Sequence, residues 1–252
     1  MPEPVTLTAD TLRPAAVPTF YFIGVTTGSS SIRTVFPRWA EELGLGEVEL
    51  VGIDLPLHAP VEQYRRVVRF LKEDPLSLGA LVTTHKIDLY AAAQDLFDEV
   101  DPLALLMHEV SSLSKRGGGL RASAKDPISS GHALDAFLPT GYFAEEPTDL
   151  VIFGAGGSAI AIDWYLGRPE RGADVPDRVL VTNRSSPRLE TLRDVHERSG
   201  AVTSLETVTS PSPEDNDRVL TAARSRSVVI NATGLGKDAP GSPLSWNARF
   251  PS

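Results

Sequence analysis

The N-terminal half of the chain alternates short apolar runs with stretches in which apolar residues recur every three or four positions. Runs closed by glycine or polar residues predict buried strands, and a period near 3.6 residues predicts helices with one face on a core. The predicted strands are residues 20–24, 48–53 and 78–83, followed by weaker strands at 110–114 and 120–123 around a triple-glycine turn. The predicted helices are marked by the stripes Val35, Phe36, Trp39 and Leu43, then Val61, Tyr64, Val68 and Leu71, and by a third helix beginning near Lys86.

The C-terminal half repeats this alternation. Its first strand, residues 149–153, is too apolar to be half exposed, and it passes directly into a glycine-rich turn and a helix. Further strands at residues 178–182 and 227–230 and a helix over residues 187–199 complete a βαβ array.

Both halves therefore predict the α/β class, with two domains that each contain a largely parallel sheet covered by helices. The predicted domains are residues 18–126 and residues 127–252, the second being a Rossmann-like, doubly wound domain. A helix over residues 127–137 and the loop after it would connect the two. Residues 1–17 contain prolines and no apolar period, which predicts an extended or mobile leader.

The composition argues against several classes of function. The 252 residues include no cysteine, and the five histidines show no metal-binding spacing, so we expect no metal site. A formal net charge of −9 argues against nucleic acid as a partner. The sequence contains no apolar run of about eighteen residues and its first residues lack the pattern of a signal peptide, so we expect a cytoplasmic protein with no membrane partner.

The glycine-rich turn has the spacing of a dinucleotide-binding fingerprint, Gly154-x-Gly156-x-x-Ala159. Such a turn needs one glycine for the bend, one for close approach of the backbone to a pyrophosphate, and a small third residue for helix–strand packing. The N-terminus of the following helix then faces the phosphates. A glycine turn without a ligand is the alternative.

The end of the next predicted strand indicates which dinucleotide is bound. A carboxylate that would accept the ribose hydroxyls of NAD is absent there, and the chain has Asn183-Arg184-Ser185 instead. An arginine suits a 2′-phosphate, so the sequence predicts NADP as the cofactor.

Three motifs of the second domain, residues 153–159, 183–185 and 231–236, resemble in order and spacing the NADP-binding half of the shikimate dehydrogenase family. The resemblance implies that the Asn-Arg-Ser element binds the adenosine 2′-phosphate and that the Asn-Ala-Thr element borders the nicotinamide. It assigns cofactor binding to Gly154, Ala155, Gly156, Gly157, Ser158, Ala159, Asn183, Arg184, Ser185, Asn231, Ala232 and Thr233.

The first domain carries matches to the family's substrate domain. Residues 82–86 resemble the catalytic-lysine loop with one residue deleted, its proline absent and its asparagine replaced, and residues 111–126 align without gaps on the segment that ends in the catalytic aspartate. The resemblance implies that Lys86 and Asp126 are catalytic. His85 is expected to point away from Lys86, because adjacent residues of an extended segment face opposite sides.

The resemblance assigns substrate binding to Ser30, Thr83 and Ser111. The loop around Ser30 departs from the family pattern, because Ile32 stands at the position of the second substrate-binding serine and the loop lacks the family's histidine and proline. An apolar side chain there would leave a substrate hydroxyl without a partner, which argues against shikimate itself.

The expected function is an NADP-dependent oxidoreductase resembling shikimate 5-dehydrogenase, with its active site in the groove between the domains. Its substrate would be a small cyclic hydroxy or keto carboxylate, its role aromatic amino acid biosynthesis, and its assembly a monomer or a homodimer. One alternative is an NADP(H)-binding regulator with little or no turnover, which the altered serine loop favours. Another is an enzyme similar to methylene-tetrahydrofolate dehydrogenase, which the scarcity of aromatic residues disfavours.

The chain ends soon after Gly236, whereas members of the family continue with a further strand and a C-terminal helix. A parallel sheet that stopped at this point would leave an apolar edge uncovered. The resemblance therefore predicts that the sequence is part of a longer chain.

Overall fold

The computed structural model describes residues 6–236 and 239–251. The chain divides into two compact units, Met1–Lys125 and Asp126–Ser252. This division falls one residue before the predicted boundary, so Asp126 belongs to the second unit. Each unit combines a sheet rich in parallel pairs with helices, which confirms the predicted α/β class.

The first unit has one seven-stranded sheet. Its strands are β1 (Thr6–Thr8), β2 (Thr19–Gly24), β3 (Glu49–Asp54), β4 (Ser77–Val82), β5 (Glu99–Val100), β6 (Ser112–Arg116) and β7 (Gly119–Ser123), and its helices are α1 (Ile32–Glu42), α2 (Val61–Glu73), α3 (Lys86–Ala93) and α4 (Pro102–Met107). The strand order is β1-β3-β2-β4-β6-β7-β5. The first four strands in this order run parallel, and β6 runs antiparallel to both of its neighbours.

Helices α2 and α3 bury their apolar stripes against the strands. The core cluster of the unit includes Tyr64, Val67, Val68 and Leu71 of α2 together with strand residues Ile23, Ile53 and Val82. Helix α1 forms as its stripe predicts, yet Trp39 is 56% exposed and Leu43, just beyond the helix, is 71% exposed. The periodicity therefore predicted this helix correctly, but not the burial of its outer residues.

The predicted leader contributes a strand to the sheet. Strand β1 pairs in parallel with β3, with Thr6 opposite Gly52 and Thr8 opposite Asp54. Leu7 and Ala9 are buried in the core cluster. A three-residue edge strand with one inward side chain is too short to show a period, and for this reason the sequence pattern did not reveal it.

The second unit has a four-stranded parallel sheet. Its elements are α5 (Asp126–Phe137), β8 (Asp149–Phe153), α6 (Gly157–Leu166), β9 (Arg178–Asn183), α7 (Ser186–Arg198), β10 (Ser204–Thr209), α8 (Pro213–Thr221) and β11 (Val228–Asn231). The strand order is β10-β9-β8-β11, so the order reverses at β8, as in one half of a doubly wound fold. Every residue of β8 is buried, as its composition predicted.

Strand β10 and helix α8 are absent from the sequence prediction. β10 alternates polar and partly buried residues and has few apolar side chains, so its period is weak. Helix α8, in contrast, begins with a readable signal. Ser212 and Asp215 form a capping box, and Pro213 occupies the first turn. This capping signal alone predicts a helix beginning at Pro213, even where no apolar period is present.

Candidate cofactor-binding site

A cavity of about 390 Å³ lies at the carboxyl ends of the strands of the second unit. This is the edge where open parallel sheets bind their ligands. Residues of all three predicted motifs line it: Gly154, Ala155, Gly156, Asn183, Arg184, Ala232 and Thr233. The fold therefore brings together segments that lie up to about eighty residues apart in the sequence.

The turn after β8 has the geometry that a pyrophosphate requires. Gly154 has φ +101°, and a Cβ atom there would lie 2.7 Å from the carbonyl oxygen of Ala232. Gly156 has an extended backbone, and a Cβ there would meet no atom within 4 Å. Open space therefore lies beside Gly156, and any side chain at this position would begin to fill it. We call this space the cradle, and the residues around it fit a phosphate group of a dinucleotide.

The remaining residues of the fingerprint lie on helix α6. Gly157 is its first residue, Ser158 is exposed, and Ala159 is fully buried. None of these three lines the cavity. The burial of Ala159 agrees with a small residue that allows close packing of helix on strand.

The two glycines of the turn give a matched pair of predictions. Gly154→Ala should lower the free energy of unfolding by about 1–3 kcal/mol, because it combines an unfavourable φ with a backbone clash. Gly156→Ala should leave that free energy nearly unchanged and weaken dinucleotide binding. Urea unfolding and a binding titration of both variants test this pair. Equal stability of the two variants would contradict the structural role of Gly154.

The end of β9 presents the candidate 2′-phosphate site. Asn183 Nδ2 donates a hydrogen bond to the carbonyl oxygen of Ser185 at 2.9 Å, which shapes the turn into α7. Arg184 is exposed and has no hydrogen bond or ion pair with any residue that the structure describes. The Ser185 side chain makes no capping hydrogen bond, so the Ser186 and Arg188 amides of the first turn have no side-chain cap, whereas Pro187 has no N–H to offer an anion.

Hydrogen bonds within the loop after β11 fix its conformation. Asn231 Oδ1 accepts hydrogen bonds from the Thr233 amide at 3.0 Å and the Thr233 hydroxyl at 2.7 Å, and Asn231 Nδ2 donates to the carbonyl oxygen of Leu235 at 3.1 Å. Ala232 and Thr233 consequently face the cavity, whereas Asn231 supports the loop beneath them.

One wall of the cavity was not predicted from the sequence. It comprises the loop after β10, the beginning of α8 and part of the segment after β11, with Ser210, Pro211, Ser212, Pro213, Asn216 and Pro243 among its residues. The cap of α8 was the available sequence signal for this wall.

Of the predicted catalytic and substrate-binding residues, Ser30, Thr83, Lys86 and Ser111 belong to the first unit and Asp126 belongs to the second. Thr83 follows β4 and donates its hydroxyl to the carbonyl oxygen of Ile23 at 3.3 Å. Ser111 is buried and accepts the Lys125 amide at 2.7 Å. Lys86, half buried, is the first residue of α3. Asp126 is the first residue of α5 in the second unit.

Hydrogen bonds at Thr27 fix the loop that carries Ser30. The Thr27 amide donates to Asp54 Oδ1 at 2.8 Å, and Arg33 Nε donates to the Thr27 carbonyl oxygen at 2.9 Å. A Cβ at Gly52 would overlap the Thr27 side chain and lie 2.6 Å from Arg33 Nη2, so glycine makes room for this anchor. Arg33 thus fixes the loop that carries Ser30.

His85 immediately precedes Lys86, and its side chain is buried. It is 1% exposed, and its Nδ1 lies 3.0 Å from the Tyr64 hydroxyl. Burial lowers the pKa of His85, so the imidazole is neutral near pH 7. The prediction that His85 and Lys86 face opposite sides assumed an extended segment. The structure has a turn at His85 and the start of α3 at Lys86 instead, so that premise was wrong.

The described residues contain no cluster of three or more His, Asp or Glu side chains placed to hold a metal ion. None of the helices in the described part of the chain is both long and apolar enough to cross a membrane.

Comparison with known proteins finds structural relatives only. No protein-family model and no curated protein sequence matches the chain. A shikimate dehydrogenase from Aquifex aeolicus superposes with a TM-score of 0.69 at 21% identity, covering 94% of this chain and 77% of that one. A quinate dehydrogenase from Corynebacterium glutamicum in complex with NAD gives 0.66 at 21% identity, with coverages of 91% and 75%.

A third relative is shikimate 5-dehydrogenase from Thermus thermophilus in complex with NADP(H) and shikimate. It gives a TM-score of 0.64 at 25% identity, covering 92% of this chain and 75% of that one. The chain therefore has the fold of the shikimate and quinate dehydrogenases, and the predicted resemblance to the shikimate dehydrogenase family is confirmed at the level of the fold.

Proposed function

We propose that this protein is an NADP-dependent oxidoreductase similar to shikimate dehydrogenase, which transfers hydride reversibly between NADPH and a small hydroxy or keto carboxylate. The observation that carries the proposal is the single cavity shared by the glycine turn, Arg184 and the Ala232–Thr233 loop. A place in cytoplasmic aromatic amino acid biosynthesis belongs to the same proposal.

The residues of the cavity fit the cofactor group by group. The open cradle at Gly156 and the N-terminus of α6 suit the pyrophosphate. Arg184 and the uncapped N-terminus of α7 suit the 2′-phosphate. Structural relatives have been determined with NADP(H) and with NAD, so the choice of NADP rests on Arg184 and on the absence of a carboxylate at the end of β9.

Arg184→Ala should weaken NADPH binding by about 1.5–3 kcal/mol, the usual contribution of a hydrogen bond to a charged group. NADH binding should change little, because NADH lacks the 2′-phosphate. Arg193→Ala is the matched control, since Arg193 lies on the same helix, bonds Thr207 Oγ1 and does not line the cavity. Fluorescence titration measures all three proteins. Tighter binding of NADH than of NADPH by the wild type would refute the assignment of the cofactor.

Bound NADPH would supply the hydride to a substrate carbonyl carbon. We assign Lys86 to the proton transfer, in which the ammonium stabilises the negative charge on the carbonyl oxygen and gives that oxygen its proton. We assign Asp126 to binding a substrate hydroxyl. In the reverse direction the amine form of Lys86 would take the hydroxyl proton while the hydride passed from the carbon to NADP⁺.

Ser30, Thr83 and Ser111 are proposed to contact the substrate. The Thr83 and Ser111 side chains each already make one protein hydrogen bond, and a hydroxyl can make a second. Because Ile32 replaces a serine of the family pattern, we propose that shikimate is a poor substrate and that the preferred carboxylate has fewer or differently placed hydroxyls.

The proposal is tested by a hydride-transfer screen of NADP⁺ against cyclic and linear hydroxy acids, read by nicotinamide absorbance. We expect turnover of at least one hydroxy acid and weak turnover of shikimate. NADPH binding without turnover of any compound would favour the regulator, and failure to bind NADPH would reject both.

A further inference from the structure

Asn216 occupies an unusual position on the wall of the cavity. It lies in the second turn of α8 and is 8% exposed. Its Nδ2 donates a buried hydrogen bond to the Pro243 carbonyl oxygen at 2.8 Å. Its Oδ1 is buried and has no hydrogen-bond partner among the described residues.

The orientation of the Asn216 amide follows from these contacts. Only the NH₂ group can donate to the carbonyl oxygen of Pro243, so the group without a partner must be the oxygen. Folded proteins rarely leave a buried acceptor unpaired. Asn216 is also one of the residues that line the cavity, so a ligand there can supply the missing donor once a small shift of the side chain exposes Oδ1.

The strand order indicates which part of the ligand reaches Asn216. The pyrophosphate site lies at β8, and the 2′-phosphate site lies at β9, the next strand in the sheet. Beyond β9 come β10 and the beginning of α8. A dinucleotide that runs across the sheet in this direction places its adenine beside the loop after β10, where Pro211 and Pro213 provide apolar surface.

We propose that Asn216 recognises the adenine base of the cofactor, with Oδ1 accepting a hydrogen bond from the 6-amino group. This inference rests on the proposed function, because it requires NADPH in the cavity. The 6-amino group is a donor, whereas hypoxanthine and guanine present an oxygen at the same position, which would face Oδ1 as a second acceptor. Asn216 therefore selects adenine against 6-oxopurines.

The experiment compares binding of NADPH with binding of its hypoxanthine analogue, in which oxygen replaces the 6-amino group. For the wild type we expect the analogue to bind roughly 10-fold to 100-fold more weakly, since a site built around a donor rejects a ligand that lacks it. Asn216→Leu should weaken NADPH binding by a similar factor and leave the analogue nearly unaffected, so that the preference disappears. Asn216→Ser, a smaller change, provides a second variant in case the leucine protein does not fold.

Asp217→Ala is the matched control. Asp217 is the next residue of α8, accepts a hydrogen bond from the Ser245 amide at 3.1 Å and does not line the cavity. Removing the Asp217 carboxylate loosens the same C-terminal segment but leaves the contact with the base unchanged. The variant should therefore weaken the binding of both nucleotides equally.

Two results would overturn the inference alone. In one, the wild type binds both nucleotides equally. In the other, the Asn216 variants weaken both equally, as the Asp217 control does, which would show that Asn216 only fixes Pro243. A wild type that binds neither nucleotide would instead reject the proposed function, and the inference with it.

Discussion

Lys86→Ala should slow hydride transfer by roughly 10²–10⁴-fold, the usual contribution of a positioned general acid. NADPH affinity should stay nearly unchanged, because Lys86 belongs to the first unit and the cofactor cavity is built from the second. Steady-state kinetics on the best substrate of the hydroxy-acid screen, together with an NADPH titration, measure the two effects separately.

Lys72→Ala is the control for this variant. Lys72, in the last turn of α2, pairs with Asp98 at 2.8 Å and donates to the Leu96 carbonyl oxygen. It is not one of the proposed site residues, and its loss should leave turnover intact. Asp126→Asn should reduce the rate as well. Wild-type turnover by the Lys86 variant would mean that another group supplies the proton.

The second large effect concerns a buried ion pair of the second unit. His196 of α7 lies 2.9 Å from Asp163 Oδ2 of α6 through its Nδ1, and its Nε2 lies 3.2 Å from the Thr203 carbonyl oxygen. Asp163 is 1% exposed. His196→Ala should lower the free energy of unfolding by about 3–5 kcal/mol, because it leaves a buried carboxylate without its partner. Asp194→Ala, which removes an exposed ion pair from the same helix, should cost less than about 1 kcal/mol in urea unfolding.

The same pair makes stability depend on pH. Burial alone would lower the pKa of His196, but the hydrogen bond and charge of Asp163 outweigh burial and raise it. Burial also raises the pKa of Asp163. The folded pair therefore keeps a proton that the unfolded chain releases above its histidine pKa of about 6.5.

The contribution of His196 is consequently complete below about pH 6.5 and is lost as pH rises through its raised folded pKa. The loss should approach about 1.4 kcal/mol per pH unit in that window. Urea unfolding across the window measures it, and the double variant with Asp163→Asn and His196→Gln should lack this dependence. An identical pH dependence in the double variant would assign it to other groups.

Local sequence patterns predicted most elements of the fold. The buried run of β8 and the stripe of α2 are strong patterns that survive in the structure, because each element must hide its apolar side chains from water. β1 and β10 lack such a pattern, since their neighbours in the sheet rather than their own side chains make them strands.

The cofactor motifs were predicted because they depend on backbone chemistry that few residues permit. Gly154 is visible in the sequence, since a positive φ and close backbone contact exclude a side chain. The wall that contains Asn216 was missed, because Pro243 meets α8 only through the tertiary fold.

The sequence by itself determined the alternation of strands and helices, the glycine turn and the arginine that replaces a carboxylate, because periodicity and backbone constraints act over neighbouring residues. Only the tertiary structure decided which residues share the cavity, which polar atoms are left without partners there, and that Asp163 and His196 form a buried pair. These features join segments far apart in the chain, and their energies depend on burial, which no local pattern records.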